Sequence, residues 1–299
     1  MKNKQGTNKK AKVIIIIINY NTEKETIKCL ESLKKLKYEN FEIILIDNNS
    51  DNFSKIKNFT KKNRELRIRN YELNKNTGFT GGVNLGIKKA LKNKINVDYI
   101  WLLNNDALVD KNTLTELVKT AKEKNSAVTG AKIFSLSKNL IKLKKSKPNL
   151  EADGGRFNWI QGSYPKGAIK NPKWITGTSM LIKKDVFEVI GLFDENFFLY
   201  YEDIDFCLRL RKNGFKLSVS EKAFVWHKKS SSTNMLGKNV ILYYHYRNLM
   251  LLTKKHAPKI IKYIIYLCGY FLILRYPFSK YIKYAIYDFH NNKFGKFNH

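Results

Sequence analysis

Apolar and polar positions alternate along the first half of this chain in regular blocks. Val13–Ile18 is an unbroken β-branched run, Phe41–Ile46 and Tyr99–Leu103 are nearly as apolar, and Leu66–Tyr71 and Ala127–Phe134 are weaker runs of similar length. Short continuous apolar runs mark strands buried on both faces of a parallel sheet. Between them the period changes. Ile27, Leu30 and Leu33, then Val83, Ile87, Ala90 and Leu91, then Leu114, Leu117, Val118 and Ala121 recur at three- and four-residue spacing, which predicts amphipathic helices. The first opens with Thr22 as its N-cap and Glu23 and Glu25 in its first turn. This β-α-β-α alternation predicts an α/β fold: a mostly parallel, Rossmann-like sheet flanked by helices.

Further along the pattern loosens. Residues 131–150, with six lysines and no acid, read as an exposed loop, and Gly154 to Gly167 as a glycine-rich hairpin region. Trp174–Ile182 reads as a strand with a polar centre, and Lys216–Val219 and Ala223–Trp226 as two short strands, the second ending at His227. Between them lies Asp194–Arg211, DENFFLYYEDIDFCLRLR. Four aromatics precede a packed acidic run, and Ile204, Cys207 and Leu208 fall at helical spacing. Glu202 and Asp203 then occupy a first helical turn, where the helix dipole favours negative charge, and Asp205 can pair with Arg209.

From about Ser231 the chain becomes basic and aromatic. Residues 231–299 hold eleven Lys or Arg and one acid, and read as helices near 238–254, 258–274 and 277–290. No apolar stretch reaches the ~20 residues of a membrane span. This C-terminal helical extension is expected to lie on an anionic leaflet; the alternative is an appendage packed on the domain or forming an oligomer interface. Residues 1–12, with five lysines and no acid, are expected to be a disordered tail, which leaves 13–230 as the main domain.

Charge sharpens the question of partners. A net charge of +31 over 299 residues points to polyanions: nucleic acid, an anionic membrane or phosphorylated substrates. Three widely spaced cysteines fit a reducing compartment and exclude a disulfide scaffold or zinc finger. The apolar run at 13–18 is shorter than the ~7–15 residues of a secretory core, so a cytoplasmic protein, peripheral on the inner face of the membrane, is expected.

Chemistry concentrates where strands end. Asn19-Tyr20-Asn21, the Asp47–Asp51 cluster with Asn49, and Asn104-Asn105-Asp106 each follow a strand, at the edge where open α/β sheets bind ligands. The stretch from Asn76 through Gly78, Gly81, Gly82, Asn84 and Gly86 runs into a helix, so its backbone can approach a phosphate. It matches neither the dinucleotide nor the P-loop fingerprint. Tyr20 can stack on a nucleobase, and Asp47 can accept from a base N–H or a ribose hydroxyl. Asp106 is a candidate metal ligand with His227 as partner, although a turn and a structural histidine are the plainer readings. A mixed histidine, carboxylate and phosphate shell suits Mn²⁺ or Mg²⁺. The aromatics ahead of Glu202 and Asp203 would shield these carboxylates from water, as a general base requires.

Taken in order, these motifs, with Thr176-Gly177, the Asp194–Arg209 stretch and Val225-x-His227, resemble the family 2 glycosyltransferases of GT-A fold, nearest the rhamnosyltransferase-like branch. The resemblance covers about residues 13–255 and implies inverting transfer of a sugar from a nucleoside diphosphate sugar to a glycan or lipid-linked acceptor of a surface polysaccharide. It implies that Tyr20 and Asp47 contact base and ribose, with Asn19, Asn21, Asn49, Asn104 and Asn105 around them, and that Gly78, Gly81, Gly82 and Asn84 line the nucleotide pocket. Asp106 occupies the last position of the metal-binding DxD motif, whose first position here is Asn104, and His227 matches a late metal-binding histidine. Thr176, Gly177 and Tyr201 fall on the acceptor side. Glu202-Asp203 matches the motif that supplies the base, with Asp203 favoured and Glu202 the alternative. A sugar nucleotidyltransferase would want a glycine-rich basic loop after the first strand, which Asn19–Thr22 does not offer. A nucleic-acid-binding protein would set aromatics and Lys/Arg on one platform, whereas acids cluster at this pocket.

Overall fold

The structure is a computed structural model that describes residues 10–92, 97–136, 150–152, 154–155, 157, 159, 171–228, 236–265 and 279–299. The strands are β1 Val13–Asn19, β2 Phe41–Asp47, β3 Ile68–Glu72, β4 Tyr99–Leu103, β5 Ala107–Val109, β6 Val128–Ser135, β7 Leu150–Ala152, β8 Ser179–Lys183 and β9 Leu217–His227. The helices are α1 Glu23–Leu33, α2 Ser54–Lys62, α3 Gly78–Lys92, α4 Thr113–Glu123, α5 Val186–Ile190, α6 Glu202–Lys212, α7 Gly237–His256 and α8 Lys280–His290. Residues 259–265 are also helical.

Among the described residues the strands form one sheet, ordered β3-β2-β1-β4-β8-β6-β9-β5, with β7 on β6. The first four are parallel. β8 runs antiparallel to β4 and β6, β9 lies parallel to β6, and β5 is antiparallel to β9. The α/β class is as expected, and the far half of the sheet is mixed. The isoleucine run explains the layering. Ile14 and Ile16 join the cluster with Val83, Ile87 and Ala90 of α3, while Val13, Ile15 and Ile17 join Leu30 and Leu33 of α1 and Leu114 and Leu117 of α4. Successive side chains point to opposite faces, so a strand sandwiched between helices is apolar throughout. Each such side chain is worth about 1.5–3 kcal/mol on burial.

Several local expectations give way. β9 is one strand, not two: exposed Glu221 and Lys222 interrupt its apolar pattern, and its register against β6 shifts opposite Gly130–Lys132. β8 begins only at Ser179, and Trp174 instead bridges to Gly155. Residues 131–135 extend β6 and are not loop. Thr22 stands at the N-cap of α1, but its side chain makes no capping bond there. The expected N-terminal tail, apart from residues 10–12, and most of the hairpin region lie outside the described residues.

The described part of the C-terminal extension packs on the domain. Tyr243, Tyr244, Arg247 and Asn248 of α7 are buried, and Lys255 and His256 reach Asp205 of α6 at 2.5 and 2.8 Å. Among the described residues no helix is long and apolar enough to cross a membrane.

Candidate active site

A cleft of about 330 Å³ opens at the carboxyl ends of β1, β2 and β4, beside the start of α6. Tyr20, Asn48, Gly78, Asn104, Asn105, Asp106, Thr176, Gly177, Tyr201, Glu202, Asp203 and His227 line it. The sheet topology gathers residues that lie two hundred positions apart in sequence.

On one wall, the Asn104–Asp106 turn joins β4 to β5, and the pairing of Ala107 with His227 brings the end of β9 alongside. His227 Nε2 lies 3.1 Å from Asp106 Oδ1 and 3.3 Å from Asn104 Nδ2, and its Nδ1 lies 3.3 Å from Glu151 Oε1. Burial disfavours the charged ring, but hydrogen bonds and charge from Asp106 and Glu151 outweigh it and push the His227 pKa up to about 9. Among the described residues no group of three or more metal-ligating side chains forms. One carboxylate and one imidazole nevertheless fit a cation whose remaining positions belong to a diphosphate and water. Glu151 of β7 was not among the residues expected here. The signal was faint: it is the first acid after the lysine-rich 131–150 stretch. Asn105 donates from Nδ2 to the hydroxyls of Thr22 and Thr26, at 2.6 and 2.8 Å, tying the turn to α1.

Glu202 and Asp203 open α6 and line the same cleft, Glu202 buried and Asp203 partly buried. Asp203 Oδ2 accepts the Gly177 N–H at 3.0 Å, and its Oδ1 accepts the Ile204 N–H at 2.8 Å. Glu202 is 7% exposed, and its Oε2 has no hydrogen-bond partner among the described residues. Desolvation raises both pKa values. The neighbouring Asp203 charge pushes Glu202 further up against its own backbone N–H, whereas the N–H groups of Gly177, Ile204 and Asp203 itself pull Asp203 back. The two carboxyls titrate as a coupled pair, in which the donated N–H groups favour charge on Asp203. Asp205, fully buried, faces away from the cleft. Despite burial, His256, Arg209 and Lys255 hold its carboxyl at about 2.

The nucleotide-side expectations divide. Tyr20 lines the cleft, as does Asn48, which accepts from the Thr77 N–H at 2.9 Å and donates to the Gly78 carbonyl at 2.9 Å. Gly78 has φ +74°, and a Cβ there would lie 2.3 Å from the Phe198 carbonyl oxygen, so only glycine fits this cleft wall. Asn19, Asn21, Asp47 and Asn49 are not among the lining residues. Asn19 and Asp47 turn inward: Asn19 Nδ2 donates to Asp47 Oδ1 at 2.7 Å, and the Ser50 N–H and hydroxyl donate to the same carboxylate. Asn21 exchanges hydrogen bonds with Asp51. Asn49 takes a left-handed φ of 68° at an exposed turn. Gly81, Gly82 and Asn84 also fall behind the wall. Gly82 lets α3 sit against Ile18, and Asn84 Nδ2 donates to the Phe193 carbonyl and Glu195. Gly82 and Asn84 therefore have packing partners that account for their type. Thr176, Gly177 and Tyr201 do line the cleft, on the Asp203 side.

The family model for glycosyl transferase family 2 matches residues 14–191. The low-salt glycan biosynthesis hexosyltransferase Agl10 of Haloferax volcanii is 26% identical over 90% of this chain and 86% of its own length. The dTDP-rhamnosyl transferase RfbF of Shigella flexneri is 24% identical over 82% of this chain and 81% of its own. Among solved structures, mannosyltransferase PcManGT of Pyrobaculum calidifontis, in complex with GDP-Man and Mn²⁺, superposes with a TM-score of 0.59 at 12% identity, covering 95% of this chain and 74% of that one. The fold is thereby that of known glycosyltransferases.

Proposed function

Since the chain belongs to glycosyl transferase family 2 and is a glycosyltransferase, we propose that it is an inverting enzyme that moves rhamnose or another hexose from a nucleoside diphosphate sugar to a glycan or lipid-linked acceptor in surface polysaccharide synthesis. The observation that carries this reading is that one cleft is lined by two chemistries: Asp106 with His227, and Glu202 with Asp203. The hexosyl and rhamnosyl transfer named for the two relatives supports the substrate class.

The chemistry follows from these positions. An acceptor hydroxyl titrates far above neutrality and needs a base as it attacks. Asp203, desolvated and with its charge favoured by the Gly177 and Ile204 N–H groups, takes that proton. The hydroxyl oxygen bonds to the anomeric carbon, the bond from that carbon to the diphosphate breaks, and its electron pair leaves with the diphosphate. A single displacement with the base opposite the leaving group inverts the anomeric centre. Asp106 and His227 would hold a divalent metal, Mn²⁺ or Mg²⁺, which supplies charge stabilisation to the leaving diphosphate. Tyr20 offers a ring to the nucleobase, and Asn48 and Gly78 shape the adjoining wall. Protonated Glu202 can donate a hydrogen bond to the acceptor.

The residues 259–265 bear on location. Ile260 and Tyr263 are 69% and 70% exposed beside Lys259 and Lys262. This pairing of apolar and basic side chains supports a cytoplasmic enzyme held peripherally on the anionic inner face of the membrane, where a lipid-linked acceptor would be presented.

The test is a hydrolysis screen of UDP-, dTDP- and GDP-sugars with Mn²⁺ on the full chain and on Asp203→Asn. One donor should be turned over by the wild type, and Asp203→Asn should bind it while losing roughly 10²–10⁴-fold in turnover. Near-normal turnover in that variant would remove Asp203 from the role of base. Inertness of the wild type toward every donor would reject the transfer reading.

A further inference from the structure

The backbone that delivers the two carboxylates is strained. Tyr200 and Tyr201 adopt φ of 71° and 72°, a left-handed conformation that residues with side chains rarely take. Two in succession persist only where the surroundings hold them. Leu199 and Tyr200 line the cleft, and Glu202 follows immediately as the first residue of α6.

The surroundings come from α7. Asn248, wholly buried, donates from Nδ2 to the Leu199 carbonyl at 2.7 Å and to the Tyr200 carbonyl at 3.1 Å. Its Oδ1 accepts from Arg247 Nε at 3.0 Å and Nη2 at 2.9 Å. Two carbonyl acceptors on one side and a guanidinium on the other fix which way the amide faces. Arg247, also wholly buried, donates to the Asn196 carbonyl at 3.3 Å and to the Gly295 carbonyl at 2.8 Å. Its counter-charge is reached through Tyr243, whose hydroxyl accepts from Arg247 at 3.1 Å and donates to Asp288 of α8 at 2.6 Å. The Tyr201 hydroxyl meets His245 at 2.9 Å. The C-terminal helices thus grip the loop ahead of α6 at three carbonyls.

We infer that Asn248 is a positioning residue for transfer: its amide clamps the Leu199–Tyr201 turn and so sets where Glu202 and Asp203 stand against the cleft. The inference rests on the transferase reading above for its catalytic consequence. The clamp itself is a statement about the backbone. It gives the C-terminal extension a part in the reaction, although none of the clamping side chains enters the cleft. Displacing Asp203 would break its bond from the Gly177 N–H and move the base off the acceptor.

Asn248→Asp separates the clamp from simple space-filling. It keeps the shape and the oxygen that Arg247 holds, but removes the donor and sets a carboxylate against two carbonyl oxygens. The full chain, Asn248→Asp and Asn248→Ala are compared in three measurements: binding of UDP, dTDP and GDP with Mn²⁺, turnover of the donor the wild type hydrolyses, and amide exchange of residues 199–205. Nucleotide affinity should be unchanged, and turnover should fall on the order of 10²-fold in both variants, as expected for a reacting group displaced by about 1 Å. Exchange at Tyr201–Ile204 should quicken. If Asn248→Ala fails to fold, the Asp variant carries the comparison. Wild-type turnover and exchange in Asn248→Asp would overturn the inference. A wild type inert toward all three donors would defeat the transferase reading instead, and the exchange data would still decide the clamp.

Discussion

At the scale of single residues, the decisive contrast is between two adjacent carboxyls. Glu202 and Asp203 share a site and are both pushed up by desolvation, but Asp203 also accepts the Gly177 and Ile204 N–H groups, which favour its charge. Two coupled acids titrate as a pair, so the rate should rise with pH through an apparent pKa above the ordinary carboxylate range. Glu202→Gln mimics the protonated state that Glu202 already holds when Asp203 ionises, so the acid limb of its rate profile should stay in place. The same substitution has a stability signature. A buried acid with a raised folded pKa costs no stability below its unfolded pKa of about 4.3, and the cost grows as pH climbs toward the folded value. Glu202→Gln should therefore melt with the wild type near pH 4 and above it at neutral pH, by about 2–4 °C for each kcal/mol recovered. Identical melting temperatures across that range would show that Glu202 is not buried as an acid. The sequence pointed to this pair because four aromatics directly before it would shield the carboxylates from water. It favoured Asp203 only through the family motif, because the physical ground for that choice, the Gly177 N–H, is a contact across 26 residues. Glu151 and Asn248 were illegible for the same reason: their partners are distant in sequence.

Among elements, the strands were legible wherever burial on both faces made a run continuous, as in β1, β2 and β4. They were misread where polar residues cross the sheet at an exposed point, as Glu221 and Lys222 do within β9. The glycines of α3 carry a related lesson. In sequence a glycine near a helix start suggests phosphate; in the fold, two of them, Gly82 and Gly86, let α3 approach β1. A Cβ on Gly86 would lie 2.6 Å from Ile16 Cγ2, where Ile16 is itself 1% exposed and fixed in the core. Gly86→Ala should gain helix propensity but lose more to overpacking, a net cost of about 1–3 kcal/mol. Chemical denaturation would measure it. Because Gly86 is remote from the cleft lining, nucleotide affinity of the folded fraction should hold. A variant as stable as the wild type would mean that α3 can lift from β1 freely, and the packing explanation of these glycines would fail.

For the whole molecule, the question is what the charge of +31 does. A diffuse positive field attracts any polyanion, and beyond ~8 Å at physiological salt it is screened, so charge alone does not select a membrane. Selection needs apolar side chains that can leave water beside the cations. Residues 259–265 supply both, with Ile260 and Tyr263 standing out from the surface next to Lys259 and Lys262, while α7 and α8 are committed to the domain and to the turn ahead of α6. Near an anionic leaflet each lysine contributes about 1 kcal/mol, and the two apolar side chains add their burial in the interface. The full chain should float with phosphatidylglycerol-containing vesicles, lose most of that association in high salt, and float weakly with neutral vesicles. Ile260→Asp combined with Tyr263→Asp should abolish flotation on anionic vesicles while hydrolysis of a water-soluble donor continues, since neither residue lines the cleft. Equal flotation of the double variant would move the contact to another part of the chain. If the wild type did not float at all, the exposed pair would be ordinary surface and the enzyme would meet its acceptor without docking.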